Sequence, residues 1–448
     1  MEKPAAVAGR CYTRIVKTLL LLAGRSRRFW PLKEKSLFPI CGKTLAEHQV
    51  ETLMKGGCAD ITLIAGAHNK KELKKIFPRL PLVEQKNLDW GMQGACLSGL
   101  AKIKKGEPVL IVSGNDVIDP SALQELRAAA GRPGIDGAIL ARKVREYFPG
   151  GYLTVKSGLV RGIVEKPGQG KEPSGLVNIV AHIHNDPAAL LAALKAVKNH
   201  RDDGYELALQ ALLKQKKYRA VPYTGFWQPV KYPWHLLPLL EHFLSGVRKS
   251  IDRSVKIHPS AVIEGEVTIG AGTRILPNAV VVGPCAIGRD CIVGNNALVR
   301  GSSVGNGCVV GYNTEVKGSV LAGPVWTHMT YLGDSIIGEN VSFGGGCIVG
   351  NLRLDEAEIF IKEKGARIGT GLTKLGLVAG DDCRFGIQIG TNPGIRVGAG
   401  SFIGGGVFLT EDAGDRTYVS MKDGRPIARP NTAPLPRMAG RDKYLRGL

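Results

Sequence analysis

The sequence predicts an α/β domain on a mostly parallel sheet, followed by a parallel β-helix of hexapeptide units. Three observations carry this. The apolar run Leu19–Leu22 breaks at Gly24 into a cluster of cations, the texture of a buried strand that delivers a phosphate-binding loop. Strand-like and helix-like segments then alternate to about Leu244. Beyond Phe243, apolar residues recur every six positions.

The four leucines are too short to span a bilayer and suit a strand covered on both faces. After Gly24, Arg25, Arg27, Arg28, Lys33 and Lys35 fall within a dozen residues and suit phosphate oxygens, although a solvated basic loop has the same composition. Thr44–Lys55 has helical spacing, Ile61–Ala65 reads as a strand, Lys70–Phe77 as a helix, and Val109–Val112 as a strand before SGND. Tyr152–Val155 and Val160–Val164 read as a hairpin, and Leu190–Val197 and Tyr205–Lys214 as helices. Ligands of such sheets gather beyond the carboxyl ends of strands, where Gly24 and Gly114 fall.

The period of six runs through Ile257, Ile263, Ile269, Ile275, Val281, Ile287, Val293 and Val299, slips by one residue, and resumes at Val304, Val310 and Val316. It returns at Ile337, Phe343 and Val349, and again at Val397, Ile403 and Leu409. Each unit forms one short wall, and stacked coils bury a continuous core. Gly318–Tyr331 and Leu352–Leu372 read as insertions, and Lys422–Leu448, basic and proline-rich, as irregular chain. The expected domains are 1–247, 248–425 and a basic tail at 426–448.

Composition bounds the partners. The 448 residues allow two cores, and 44% hydrophobic content marks a globular chain. The net charge of +21 favours polyanionic ligands: nucleotides, coenzyme A, nucleic acid or membrane surfaces. Cations spread along the chain and an aromatic content of 6% weigh against base stacking, so nucleic acid is disfavoured. Nine cysteines without a CxxC pair predict a reducing cytoplasm and no zinc site, and no apolar stretch is long enough to cross a membrane.

The segment LLAGRSRRFWPLKEKSLFPICGK resembles the opening motif, L-A-x-G-x-G-T-R followed by P-K-x-L, of the bifunctional sugar-1-phosphate nucleotidylyltransferase/acetyltransferase family. The resemblance covers about Val16 to Leu409 and implies a Rossmann-like nucleotidyltransferase domain followed by a left-handed β-helix. It makes Gly24 and Arg25 nucleotide-binding and Arg28 and Lys35 catalytic cations. Ser26 and Arg27 stand where the family has glycine and threonine, and Glu34 where it has proline. Asp116 in SGND resembles the family's metal-binding aspartate, with Asp119 in reserve and a helix cap as the plain alternative. GIVEKP resembles the sugar-binding E-K-P, which implies roles for Glu165 and Lys166, joined by Asn178. Gln85 and the Gly91–Gly94 loop resemble the base-reading segment. Where the family carries a second metal ligand, in a pattern like W-x-D-V, this chain has Pro229.

THMTYLGDSIIGEN, Thr327–Asn340, resembles the acetyltransferase segment H-x-T-Y-L-G-D. By that resemblance His328 is the general base toward a sugar amine, while His258 is structural. Arg300, Lys317 and Lys374 are cations for the sugar phosphate, Tyr331 and Asn351 orient the acceptor and acetyl groups, and Ala399 and Gly400 line the acetyl-CoA groove. Ser342 replaces a further substrate-binding asparagine. The resemblance further implies Mg2+, UTP or dTTP, acetyl-CoA and a homotrimer. The expected function is acetylation of an amino-sugar 1-phosphate and nucleotidyl transfer to a sugar 1-phosphate. Retention of the acetyltransferase alone, or a catalytically inactive regulatory subunit of this architecture, are the alternatives.

Overall fold

The computed structural model describes residues 16–104, 106–198 and 203–436. Its packing forms two units, Met1–Arg25 with Ala46–Pro229, and Ser26–Leu45 with Val230–Leu448.

In the first unit, β1 (Lys17–Leu21), β2 (Ile61–Ala65), β3 (Leu82–Glu84) and β4 (Val109–Ser113) form a parallel set in the order β3-β2-β1-β4. All five residues of β2 and of β4 are buried, as expected of strands covered on both faces. The short β5 (Asp116–Ile118) follows. The sheet continues with β6 (Gly137–Lys143), β7 (Gly151–Lys156), β8 (Leu159–Glu165), β9 (Leu176–His184) and β10 (Tyr218–Pro222), in the order β9-β6-β10-β8-β7. Here β9 runs antiparallel to both β4 and β6, so the sheet is mixed. A final strand, β11 (Trp227–Pro229), pairs with β5. Helices α1 (Leu45–Lys55), α2 (Lys70–Ile76), α3 (Gly91–Leu100), α4 (Pro120–Ala130), α5 (Pro187–Ala196) and α6 (Gly204–Leu212) fill the intervals. Gly99 lets α3 approach β1, since a Cβ there would lie 2.7 Å from Leu19 Cδ1. Gly114 does the same at the end of β4, where a Cβ would lie 2.6 Å from the Leu21 carbonyl oxygen.

The second unit is a β-helix of three sheets with 8, 10 and 8 strands, parallel except for the last strand of the second sheet, Arg425–Pro430, each coil adding one strand to each sheet. The alternate residues Val281, Val299, Val316 and Leu332 point inward and are fully buried. The slip in the six-residue period comes from shortened corners. Val281 pairs with Val299, Val299 with Val316 and Val316 with Leu332, so successive coils have 18, 17 and 16 residues. Buried serines satisfy one corner of the shortened coils: Ser319 N donates to Ser302 Oγ, Ser335 N to Ser319 Oγ and Leu377 N to Ser335 Oγ.

Two expectations change. Gly318–Tyr331 is not an insertion, because Val320–Leu321 and Val325–Trp326 pair in register above and below. Leu352–Leu372 is one: Ile348 pairs onward with Gly390, and between them lies an antiparallel hairpin, Phe360–Glu363 with Ala366–Gly369. The chain from Lys422 is not irregular at its start. Thr417–Lys422 and Arg425–Pro430 pair antiparallel around Asp423 and Gly424, both at positive φ, a tight turn that suits Asp-Gly. Residues 437–448 of the expected tail lie outside the described residues.

Helix α7 (Leu236–Ser245) belongs to this unit and packs on Val320–Leu321, which puts the packing boundary at Pro229. Ser26–Leu45 belongs here too. Trp30 Nε1 donates to Asp415 Oδ1 at 3.0 Å, Lys33 pairs with Asp381 at 3.0 Å, and Cys41 N donates to Ser303 Oγ at 2.7 Å.

Candidate active sites

On the third sheet of the β-helix, Leu298–Arg300, Glu315–Lys317 and Tyr331–Gly333 stack in register, Arg300 over Lys317 and Lys317 over Gly333. Strand alternation turns Val299, Val316 and Leu332 inward, so the expected site residues face outward. Arg300 makes a double hydrogen bond to Glu315 Oε1, at 2.9 and 2.6 Å. Lys317 Nζ lies 2.9 Å from Asp334 Oδ2, Asn351 donates to the same oxygen, and Asn351 Nδ2 lies 3.3 Å from the Tyr331 hydroxyl. The glycine of TYLGD has a steric reason, since a Cβ on Gly333 would stand 2.5 Å from the Tyr331 hydroxyl and 2.7 Å from Asn351 Nδ2.

His328 occupies the corner leading into this face. Thr327 Oγ1 donates to the Val309 carbonyl and accepts from Gly311 N, and Thr330 Oγ1 donates to the His328 carbonyl. The backbone is thereby clamped while the imidazole is left exposed. The Lys317–Asp334–Asn351 cluster lies at the opposite edge of the same three-residue strand, roughly 10 Å away. Beyond that edge opens a cleft of about 570 Å³ lined by Leu237, Glu241, Pro284, Asp334, Thr373 and Lys374. Lys374 stands at the base of the insertion, bridged to Leu352. One coil past Tyr331, a groove of about 1140 Å³ takes in Ile348, Leu352, Leu354, Phe360 and Phe408, all exposed apolar side chains. His258 bonds Ser260 at its own corner, and Ser342 faces outward from the second sheet between Trp326 and Arg384.

The residues expected to form the nucleotide site are distributed differently. Gly24 and Arg25 belong to the first unit, and Arg28 and Lys35 to the second. Arg25 pairs with Asp89 at 2.7 Å. Gln85 is buried and spends its Nε2 on the carbonyls of Asn87 and Gly91, both at 2.9 Å. Gly91 opens α3 at φ 48° and ψ −135°, a conformation that favours glycine. In the second unit Arg28 lies over the Tyr232 ring at 5.9 Å, and Lys35 Nζ donates to the Val230 carbonyl at 2.8 Å. Ser26, where the family has its second glycine, adopts φ 50° and ψ 25°. Its hydroxyl offsets the missing glycine by accepting from Lys35 N at 3.2 Å, while Glu34 accepts from Ser36 N and Oγ.

In the first unit, Asp116 on β5 accepts from Trp227 Nε1 at 2.8 Å and pairs across the ladder with Pro229. Asp119 is committed elsewhere, its Oδ2 accepting from Tyr223 OH and Phe226 N. Mg2+ keeps several waters and is commonly held by one or two carboxylates plus substrate phosphates. Asp116 supplies a carboxylate at this position, and Pro229, directly across the ladder from it, supplies none. Glu165 ends β8 and pairs with Lys166 at 3.2 Å. Val177 pairs with Tyr152, which pairs with Val164, so Asn178 and Glu165 flank the start of β7.

Comparison with known proteins now decides the family. Residues 18–257 match the MobA-like NTP transferase domain, and residues 248–354 the GMPPB C-terminal domain. A bifunctional sugar-1-phosphate nucleotidylyltransferase/acetyltransferase of Sulfurisphaera tokodaii is 30% identical over 435 residues, covering 89% of this chain and 98% of the relative. The bifunctional protein GlmU of Methanocaldococcus jannaschii is 30% identical over 433 residues, covering 90% and 97%. This chain belongs to the bifunctional sugar-1-phosphate nucleotidylyltransferase/acetyltransferase family. It is an enzyme of that family, with a nucleotidyltransferase domain followed by a β-helix.

Within this family member, one group of expected residues does not join the others. Ala399 and Gly400 occupy the corner between the first and second sheets, where Ala399 N donates to Asp415 Oδ1 and Asn431 Nδ2 to the Gly400 carbonyl. His328 occupies the corner between the second and third. Down that corner, Gly346 N bonds the Met329 carbonyl, Gln388 N the Gly345 carbonyl and Gly406 N the Ile387 carbonyl. The column beneath His328 leaves room at Gly345 and Gly406, where a Cβ would meet nothing within 4 Å, but not at Gly405, where one would stand 3.3 Å from Ile387 Cγ1. Its sequence signal is the pair of GGG runs at 344–346 and 404–406, each directly after a second-sheet strand.

Proposed function

We propose that the chain transfers acetyl from acetyl-CoA to an amino-sugar 1-phosphate on the β-helix. Its nucleotidyltransferase domain, residues 18–257, joins a sugar 1-phosphate to UTP or dTTP, with release of pyrophosphate. The observation that carries this reading is the stack of Arg300, Lys317, Tyr331 and Asn351 on the face entered by His328. The sugar phosphate would compete with Glu315 and Asp334 for Arg300 and Lys317, with Lys374 in the adjoining cleft, while the amine reaches toward His328. As the amine nitrogen bonds the thioester carbon, His328 takes its proton. The carbonyl re-forms, the carbon–sulfur bond breaks, and the thiolate is protonated to leave as free coenzyme A. The acetyl-CoA groove would run along the later coils, including Ala399 and Gly400.

In the nucleotidyl reaction the sugar phosphate oxygen attacks the α-phosphorus and pyrophosphate leaves. Gly24 and Arg25 would bind the nucleotide, with Gln85 and Gly91 shaping the base-side loop, and Arg28 and Lys35 would act as the catalytic cations. Glu165, Lys166 and Asn178 would hold the sugar phosphate. Asp116 would hold Mg2+ together with phosphate oxygens, where the ion would neutralise charge on the triphosphate. A homotrimer is the proposed assembly, supported by the apolar groove around Ile348, Leu354 and Phe408. A cytoplasmic setting goes with these co-substrates, and no described helix is long and apolar enough to cross a membrane.

Thiol release from acetyl-CoA with glucosamine or galactosamine 1-phosphate, and pyrophosphate release from UTP or dTTP with Mg2+, test the two halves. Absence of thiol release would overturn the acetyltransferase assignment. Pro229 favours a second reading, in which only acetyl transfer is retained; thiol release without pyrophosphate release would select it.

A further inference from the structure

The first unit contains a buried polar chain of Tyr218, His184, Tyr205 and His182, running to Asn178, whose first four members have no role in either proposed reaction. Tyr218 OH lies 2.7 Å from His184 Nδ1, and His184 Nε2 lies 3.1 Å from Tyr205 OH. Tyr205 OH lies 2.7 Å from His182 Nδ1, and His182 Nε2 lies 2.6 Å from Asn178 Oδ1. Both histidines and Tyr205 are fully buried, Tyr218 is 1% exposed and Asn178 is 8% exposed. Four residues along a regular strand would separate Asn178 from His182 by about 13 Å. They meet because β9 carries an irregularity against β6: Ile179 pairs with Leu140, and the next pair is His182 with Ile139.

The hydrogen bonds in this chain have one direction. Among the described residues, the Tyr218 hydroxyl has no partner other than His184, so its hydrogen must go to Nδ1 or stay buried and unpaired. Burial holds both rings neutral, lowering His182 to about 3 and His184 well below its ordinary value. A neutral His184 that accepts at Nδ1 donates from Nε2 to Tyr205. Tyr205 then donates to His182 Nδ1, and His182 donates from Nε2 to Asn178 Oδ1. The Asn178 carboxamide is thereby held by its oxygen, which turns its Nδ2 hydrogens away from the chain.

We propose that Tyr218, His184, Tyr205 and His182 position Asn178 as a hydrogen-bond donor to an oxygen of the sugar, a hydroxyl or an acylamino oxygen. The proposal rests on the reading that Asn178 faces the sugar. These four are positioning residues, since all are buried and act through Asn178.

The test is calorimetric titration of the full chain with N-acetylglucosamine 1-phosphate, and separately with UTP and Mg2+. The variants are Tyr205→Phe, His182→Phe and Asn178→Ala. Tyr205→Phe removes one oxygen and keeps the ring, so it guards against a folding failure of His182→Phe. The expected result is a roughly five- to tenfold weaker sugar-phosphate affinity in Tyr205→Phe and His182→Phe, with UTP affinity within twofold of the parent. Combining Tyr205→Phe with Asn178→Ala should add nothing to Asn178→Ala alone. Unchanged sugar-phosphate affinity in Tyr205→Phe, or equal losses for both ligands, would overturn the proposal. If Asn178→Ala itself leaves sugar-phosphate binding intact, the sugar-site reading fails first, and the positioning role with it.

Discussion

On the β-helix, Arg300, Lys317, Tyr331 and Asn351 come from separate coils yet share one face, because each coil adds one strand to each sheet and alternation decides which side chains point outward. In the α/β unit, Asp116, Glu165 and Asn178 belong to three strands with unrelated connections, and each is tied to its own neighbour: Trp227, Lys166 and His182. The repeat makes a site whose geometry follows from its period. The sheet makes one whose geometry depends on how each loop is braced. A single residue such as Pro229 can alter the second kind of site while leaving the first intact.

His328→Ala should break the comparison furthest. Acetyl transfer, read as thiol release, is expected to fall by roughly 10²- to 10⁴-fold, while pyrophosphate release stays within twofold of the parent. Asp116→Ala is its counterpart, with an expected loss of about 10²-fold in Mg2+-dependent pyrophosphate release and no change in thiol release. Pro229→Asp, directly across the ladder from Asp116, should lower the Mg2+ concentration for half-maximal pyrophosphate release by about tenfold. If it does not, the missing carboxylate is not what distinguishes this site.

Gly333→Ala tests whether the β-helix face is as tightly set as the stack implies. Its Cβ would displace the Tyr331 hydroxyl and the Asn351 amide, and KM for the amino-sugar phosphate should rise about tenfold without loss of folded protein.

The acid response separates the units in another way. His182 sits at about 3 in the folded chain, against an ordinary value near 6.5, with burial as the cause, and burial depresses His184 as well. A depressed histidine takes up its proton in the unfolded chain first. Its contribution is therefore whole above about pH 6.5 and is lost as pH falls toward 3, at about 1.4 kcal/mol per pH unit for each ring. Urea titrations between pH 7 and 5 should show the α/β unit weakening, and His182→Phe should reduce that slope. The smallest effect expected is that of Ser26→Ala, about 1 kcal/mol from the lost Lys35 N hydrogen bond together with the left-handed backbone, read by thermal melting. Ser26→Gly should relieve the backbone strain while losing the same bond.

Periodicity determined the architecture without help from the structure. Six-residue spacing names a β-helix because no other packing keeps one inward residue per short wall, and the strand–helix alternation before it names a covered sheet. The motif THMTYLGDS singles out His328 by resemblance, but the segment around it reads as an insertion and not as a corner between regular strands. Local spacing could not decide where the shortened coils of 17 and 16 residues turn, that Val320–Leu321 and Val325–Trp326 remain strands, or that Asp423–Gly424 closes a hairpin. Those depend on pairing with coils distant in sequence. Nor could spacing show that Ala399 and Gly400 turn a different corner from His328, or that an irregularity in β9 brings His182 onto Asn178. Corner identity is a count of whole coils, and a buried hydrogen-bond chain joins residues 178, 182, 184, 205 and 218 across two strands and a helix. Only the tertiary fold brings such residues within 3 Å or so of one another.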